Sequence, residues 1–233
     1  MKDVAEAGHP TFLGAGTECP NRIEIYLNPA VSESVQEAVF IHELLHVLMR
    51  NQGFPGIVMK PDIRIRLNPI QAKYLEEYRN VFSSTIDHLR IYGIMQKEYS
   101  LDFDLYFREQ IEAKKRKFNE FQNRDHPKDA DYFHGVQALT LDGLEYPFYP
   151  EPFKEEIVTL FKATTPEGFA ASSALFRKVS KMGFQTPEQL FKCAVVIKDQ
   201  IVHYGEKKSV GVLNQLYSGL EIVRDARDIP LQD

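Results

Sequence analysis

Ser34-Val-Gln-Glu37-Ala-Val-Phe-Ile-His42-Glu43-Leu44-Leu45-His46-Val-Leu-Met-Arg50 carries a structural and a chemical signal in the same residues. Ser34 with Glu37 three positions on is a capping box, which opens a helix expected over about 35–50. Phe40, Ile41, Leu44, Leu45, Val47 and Leu48 make that helix apolar on most sides, so burial is expected. Inside it stands His42-Glu43-Leu44-Leu45-His46, an HExxH pattern. Residues i and i+4 share a helical face with Cβ atoms about 5–6 Å apart, so both imidazoles can meet one metal ion. Glu43 lies about 100° round the helix from His42. That direction suits a general base acting on a water beside the metal. Two histidines and a glutamate buried without a ligand would each need a hydrogen bond to offset their desolvation. Metal binding is the stronger expectation.

Upstream, Ile23, Ile25 and Leu27 alternate with Arg22, Glu24 and Tyr26, the pattern of a half-buried strand that Asn28-Pro29 ends. Downstream, Gly53 and Pro55 stop the helix, and Ile63, Ile65 and Leu67 repeat the alternation, predicting a second strand over 62–69. Asn68 is an N-cap with Pro69 at the first helical position, and a helix is expected from about 70 to 97.

Zinc held by two histidines needs a third protein ligand, with the fourth position left for water. The 70–97 helix supplies the candidates Glu76, Glu77, Asp87 and His88. Glu76 and His88 are twelve residues apart, about 18 Å along the axis, so only one end of the helix can face the metal. Tyr74, Tyr78 and Arg79 are candidates for oxyanion stabilisation, and His88 for an outer hydrogen-bond partner or transition-state donor.

A strand ending in Asn, then HExxH, then a helix with Glu-x-x-x-Asn about thirty residues on resembles the ImmA/IrrE-type metallopeptidases. The matching stretch is Leu75-Glu76-Glu77-Tyr78-Arg79-Asn80-Val81, and the likeness spans about residues 21–95. The resemblance implies a zincin-like domain with zinc on His42, His46 and Glu76 and with Glu43 as the catalytic base. Tyr78 and Asn80 then stand close enough to Glu76 to support the site.

The rest of the chain frames this centre. Among its 233 residues, Lys+Arg 28 against Asp+Glu 33 give a net charge of −5, which argues against a general nucleic-acid or anionic-membrane binder. No apolar run approaches the ~18 residues a membrane span requires, and the opening residues lack a signal-peptide core. With two cysteines, Cys19 and Cys193, no disulfide framework is expected, and a cytoplasmic location follows. A helix over 102–122 has Phe103, Phe107, Ile111, Phe118 and Phe121 on one stripe, and its run Lys114-Lys-Arg-Lys117 reads as a solvated face.

Residues 123–152 contain Pro127, Pro147, Pro150 and Pro152 and read as an irregular connection or lid. Asp129, Asp131, His134 and Glu145 within it are suited to cover a cleft. From 153 onward the chain reads as helical: Thr165-Pro166-Glu167 and Thr186-Pro187-Glu188 are helix starts, and a last helix is expected over 209–224. His126, His134 and His203 have no partner spacing and read as structural.

Three units follow: 1–122 with the metal site, the 123–152 connection, and a helical 153–233 offering a surface for a protein partner. The fold class expected is α+β, and the expected function is zinc-dependent hydrolysis of a peptide bond. A non-catalytic metal-containing interaction module and a zinc hydrolase of a non-peptide substrate are the rivals.

Overall fold

Ser32, rather than Ser34, caps the first long helix. Its hydroxyl accepts from the Val35 amide, Glu33 sits in the first turn, and α1 runs Glu33–Asn51. The capping box occurs instead on the next long helix, where Asn68 and Gln71 bond reciprocally and Pro69 opens α3 at Pro69–Glu98. In this computed structural model the described residues are 2–3, 14–19, 22–64, 67–99, 103–122, 136–137, 139–207 and 217–229.

The strand expected before α1 is present as Arg22–Leu27. It is β3, the centre of a three-stranded sheet in the order β1-β3-β2, with β1 at Lys2–Asp3 and β2 at Gly14–Cys19. β2 runs antiparallel to β3 with Gly16 opposite Ile25, and β1 runs parallel to it. Ile25 and Leu27 are buried while Ile23 is exposed, and the sheet packs on α1.

Of the strand predicted over 62–69, residues 62–64 are helical, 67–68 are not strand and 69 begins α3, while 65–66 lie outside the described residues. Pro61–Arg64 is a short helix, α2, because Pro61 is pre-set for a first helical position and Asp62 complements the N-terminal dipole. The strand lies earlier, as β4 at Gly56–Met59, paired antiparallel with β5 at Leu220–Val223. The helix expected over 209–224 is corrected accordingly: residues 217–218 are helical, Leu220–Val223 is strand, and 208–216 lie outside the described residues. Gly53, at φ 74°, makes the left-handed turn that lets the chain leave α1 for β4. Phe54 then accepts from the Ala226 amide at 2.7 Å, closing this corner.

α4, Phe103–Gln122, lies against α1 and against α5 at Phe153–Thr164. α6 at Pro166–Met182 and α7 at Pro187–Lys207 complete the helical part, with Thr165 capping α6 by accepting from the Gly168 amide. The described portion of the stretch read as an irregular connection is helical over 136–137 and 139–142, followed by a 3-10 turn at Tyr146–Phe148. Val136, Leu139, Leu141, Leu144, Tyr146 and Tyr149 are buried there and belong to the same core as α1, α3 and α4. Its aromatic residues account for the difference: Tyr146, Phe148 and Tyr149 bury large apolar area in ring-to-ring contacts, which a solvated loop would forgo. The architecture is α+β. No helix among the described residues is long and apolar enough to cross a membrane.

Candidate metal centre

α1 presents His42 and His46 one turn apart, and α3 packs across it with His88 facing them. One ligand atom from each of the three lies within 4.8 Å of the others. The ring centroids are 4.8 Å apart for His42–His46 and His42–His88, and 5.3 Å for His46–His88. The side chains are largely buried, 9%, 22% and 12% exposed for His42, His46 and His88.

Each ring has a carboxylate on its Nδ1. Glu43 Oε1 lies 3.0 Å from His42 Nδ1, Asp87 Oδ2 2.8 Å from His46 Nδ1, and Glu145 Oε1 2.7 Å from His88 Nδ1. An ionised carboxylate only accepts, so Nδ1 must donate, and a neutral ring then keeps its lone pair on Nε2. Carboxylate–histidine pairs of this kind orient metal-binding imidazoles and make them more basic. With all three Nδ1 protons so committed, the Nε2 lone pairs of His42 and His88 face each other at 2.8 Å. Two lone pairs at that separation repel unless they share a cation. The donor set therefore fits a divalent metal with a preference for nitrogen ligands.

Electrostatics act differently on His42, Glu43 and His46. Burial lowers His42 to about 4 against the opposing pull of Glu43, so the ring is neutral at physiological pH. Burial works to raise Glu43, but the hydrogen bond from His42 and the charges of the three histidines outweigh it and hold the carboxyl at about 2. His46 moves upward: burial lowers it, while the hydrogen bond and charge of Asp87, with Glu43 and Glu145, more than compensate. Tyr92 stacks on His88 with centroids 4.7 Å apart, and Tyr106 packs at 6.0 Å from His42, so the inner wall of the site is aromatic.

Of the residues singled out in sequence, the structure brings together His42, Glu43, His46, Asp87, His88 and Glu145. Glu76 is not among them. Its carboxylate is 41% exposed and is paired with Arg79, about three turns of α3 from His88. Glu77 is exposed and 3.9 Å from Lys73. Asn80 accepts from the Arg79 guanidinium on the surface, and Tyr78 is buried with its hydroxyl donating to Gln137 Oε1 at 2.9 Å. His88, rather than Glu76, is thus the residue of α3 that lies with the histidine pair.

Asp87, a candidate ligand in sequence, orients His46 instead. His203 is exposed, with Glu206 at 3.8 Å. His126, His134, Asp129 and Asp131 lie outside the described residues.

No family model, curated protein or solved structure matches this chain. Geometry alone carries the reading.

Sequence reasoning placed Glu145 over the cleft but missed its pairing with His88, and it missed Lys114 altogether. Lys114, read as solvated, is 14% exposed and reaches Asp142 Oδ1 at 3.0 Å and Glu145 Oε2 at 3.3 Å. The signal available was positional. Ile111 and Phe118 flank it at i−3 and i+4 and are both buried, so Lys114 shares the inward stripe of α4.

Proposed function

We propose that this chain is a zinc-dependent hydrolase acting on peptides or other amides. The observation that carries the reading is the convergence of one ring nitrogen from each of three histidines, with a carboxylate on the Nδ1 of each ring. A three-histidine set leaves a fourth position open in catalytic zinc sites, and HExxH supplies a glutamate next to the first ligand. His42, His46 and His88 would hold the ion, in a zincin-like arrangement whose third ligand is a histidine. Zinc held there would supply Lewis acidity, which lowers the pKa of water toward ~7. Glu43, ionised at neutral pH, would accept a proton from the attacking water and return it to the leaving amine. Tyr92 and Tyr106 exclude bulk solvent from the inner side, which strengthens every charge interaction in the site.

One observation favours a non-catalytic metal module, with the helical α5–α7 region as its partner surface. Glu43 is tied to His42 Nδ1 and held at about 2, which suits a residue that orients a ligand better than one that collects protons. Two measurements separate the readings. Elemental analysis of the purified chain is expected to give about one zinc per molecule, as a single three-histidine site requires. Glu43→Gln is expected to keep that zinc and lose hydrolysis of unfolded-protein and small-amide substrates. Zinc without hydrolysis in the wild type leaves the binding module, and no zinc after incubation with the metal removes both.

A further inference from the structure

Glu145 is the one carboxylate of the three that comes from outside the two ligand helices. It follows a tight turn, with its amide donating to the Asp142 carbonyl at 3.1 Å, and lies in the buried stretch after the 139–142 helical residues. Its two oxygens face opposite ways: Oε1 takes His88 Nδ1 at 2.7 Å, and Oε2 takes Lys114 Nζ at 3.3 Å. Lys114 reaches on to Asp142 Oδ1 at 3.0 Å. The side chains of Glu145, Asp142 and Lys114 are 5%, 7% and 14% exposed.

We infer that Glu145 and Lys114 are positioning residues that fix the tautomer and aim of His88, so that α4 and the 139–149 stretch set metal affinity without touching the metal. The inference rests on the metal-binding reading above. As a stabilising device a buried lysine between two carboxylates is poor, because desolvation of three charges offsets most of their attraction. As a positioning device it is apt. A carboxylate gripped at one oxygen by an ammonium cannot turn away, so its other oxygen stays opposite Nδ1 and keeps the Nε2 lone pair inward. Asp142 is a second anchor for Lys114, at 3.0 Å, which holds the lysine against swinging out to solvent.

The arrangement also makes the three histidines unequal. His42 and His46 are oriented by neighbours on α1 and α3, Glu43 and Asp87. His88 alone depends on α4 and on a turn 57 residues further along the chain. A change of packing in either element therefore reaches the metal through one hydrogen bond. By linkage, metal binding tightens both elements by the same free energy.

The test is competition for zinc between a colorimetric chelator and the full-length chain, compared across variants, with the visible spectrum of the cobalt-loaded protein as a second readout. Glu145→Ala is expected to bind zinc about 10–100-fold more weakly, the usual cost of losing an outer hydrogen-bond partner. Glu145→Gln keeps an oxygen acceptor and is expected to recover part of that loss. Lys114→Met should move in the same direction, and the Lys114→Met/Glu145→Ala double variant should be no weaker than Glu145→Ala alone, since both act on one hydrogen bond. The cobalt bands should shift in Glu145→Ala, a change that a purely structural role would not produce.

Variants that lose thermal stability yet bind zinc like the wild type would overturn the inference. Additive losses would remove Lys114 from the relay. If Glu145→Ala does not fold, Glu145→Gln and Lys114→Met carry the comparison. A wild type that binds no zinc defeats the metal reading itself, visibly apart from any variant.

Discussion

The two ends of α3 are made from similar residues and meet different fates. At the N-terminal end Leu75, Tyr78 and Phe82 form one buried line three and four residues apart, and Glu76, Glu77 and Asn80 face water with surface partners. At the C-terminal end Thr85, Ile86, Leu89, Ile91, Tyr92 and Met95 are all buried. Neighbours such as 85–86 and 91–92 lie about 100° apart, so burial there spreads round the helix. Glu76 and Asp87 stand on nearly the same stripe, yet one carboxylate pairs with an arginine at the surface and the other orients His46 inside. Helical period places a side chain on a face; depth of packing decides whether that face meets solvent or a partner helix. The three-histidine cluster that could hold a metal is at the deep end, where its polar side chains are largely buried and held by their carboxylates.

The contrast can be broken most directly by removing a ligand candidate from each end. His88→Ala and His46→Ala should lose bound zinc, whereas Glu76→Ala should keep about one per chain, measured by elemental analysis after dialysis. Retained zinc in His88→Ala, with loss in Glu76→Ala, would reverse the assignment of the ends. Next in size is the helix's packing. Phe82→Ala, at the junction of the two regimes, should cost about 3–5 kcal/mol in urea unfolding, while truncating Ile70, 68% exposed, should stay within about 0.5 kcal/mol.

Asp87→Asn sharpens the comparison further. It keeps the shape but weakens the acceptor on His46 Nδ1, so zinc affinity should fall about 10–100-fold by chelator competition, with the fold retained by circular dichroism. The smallest effect belongs to the surface pair. Arg79→Ala should change stability by less than about 1 kcal/mol and leave zinc affinity untouched, since an exposed ion pair is screened by water.

Much of this was readable without coordinates. The strand at Arg22–Leu27 shows in its alternation, α1 and its HExxH face in their period, and α3 to within a residue or two of its ends. The β4–β5 pair was not readable. Gly56–Met59 is four residues long and owes its strand geometry to Leu220–Val223, more than 160 positions away, so no local pattern records it. The 62–67 alternation failed for the converse reason: a strand needs a partner, and Pro61 with Asp62 starts a helix without one. Lys114 was misread because charge composition describes a run, while burial is decided residue by residue.

From its sequence alone this chain is committed to two helices carrying side chains able to ligate a metal, one of them with a pair of histidines at i and i+4, since the helices and the shared face follow from capping chemistry and 3.6-residue periodicity. Which residue completes the pair is a different kind of fact. Glu76, Glu77, Asp87 and His88 are equivalent candidates along a helix about 45 Å long by its 1.5 Å rise, and only the crossing of α3 over α1 brings one end within reach. The carboxylate behind His88 comes from still farther along the chain. Its place depends on Lys114 being turned inward by the apolar stripe of α4, a packing outcome that no local sequence pattern encodes.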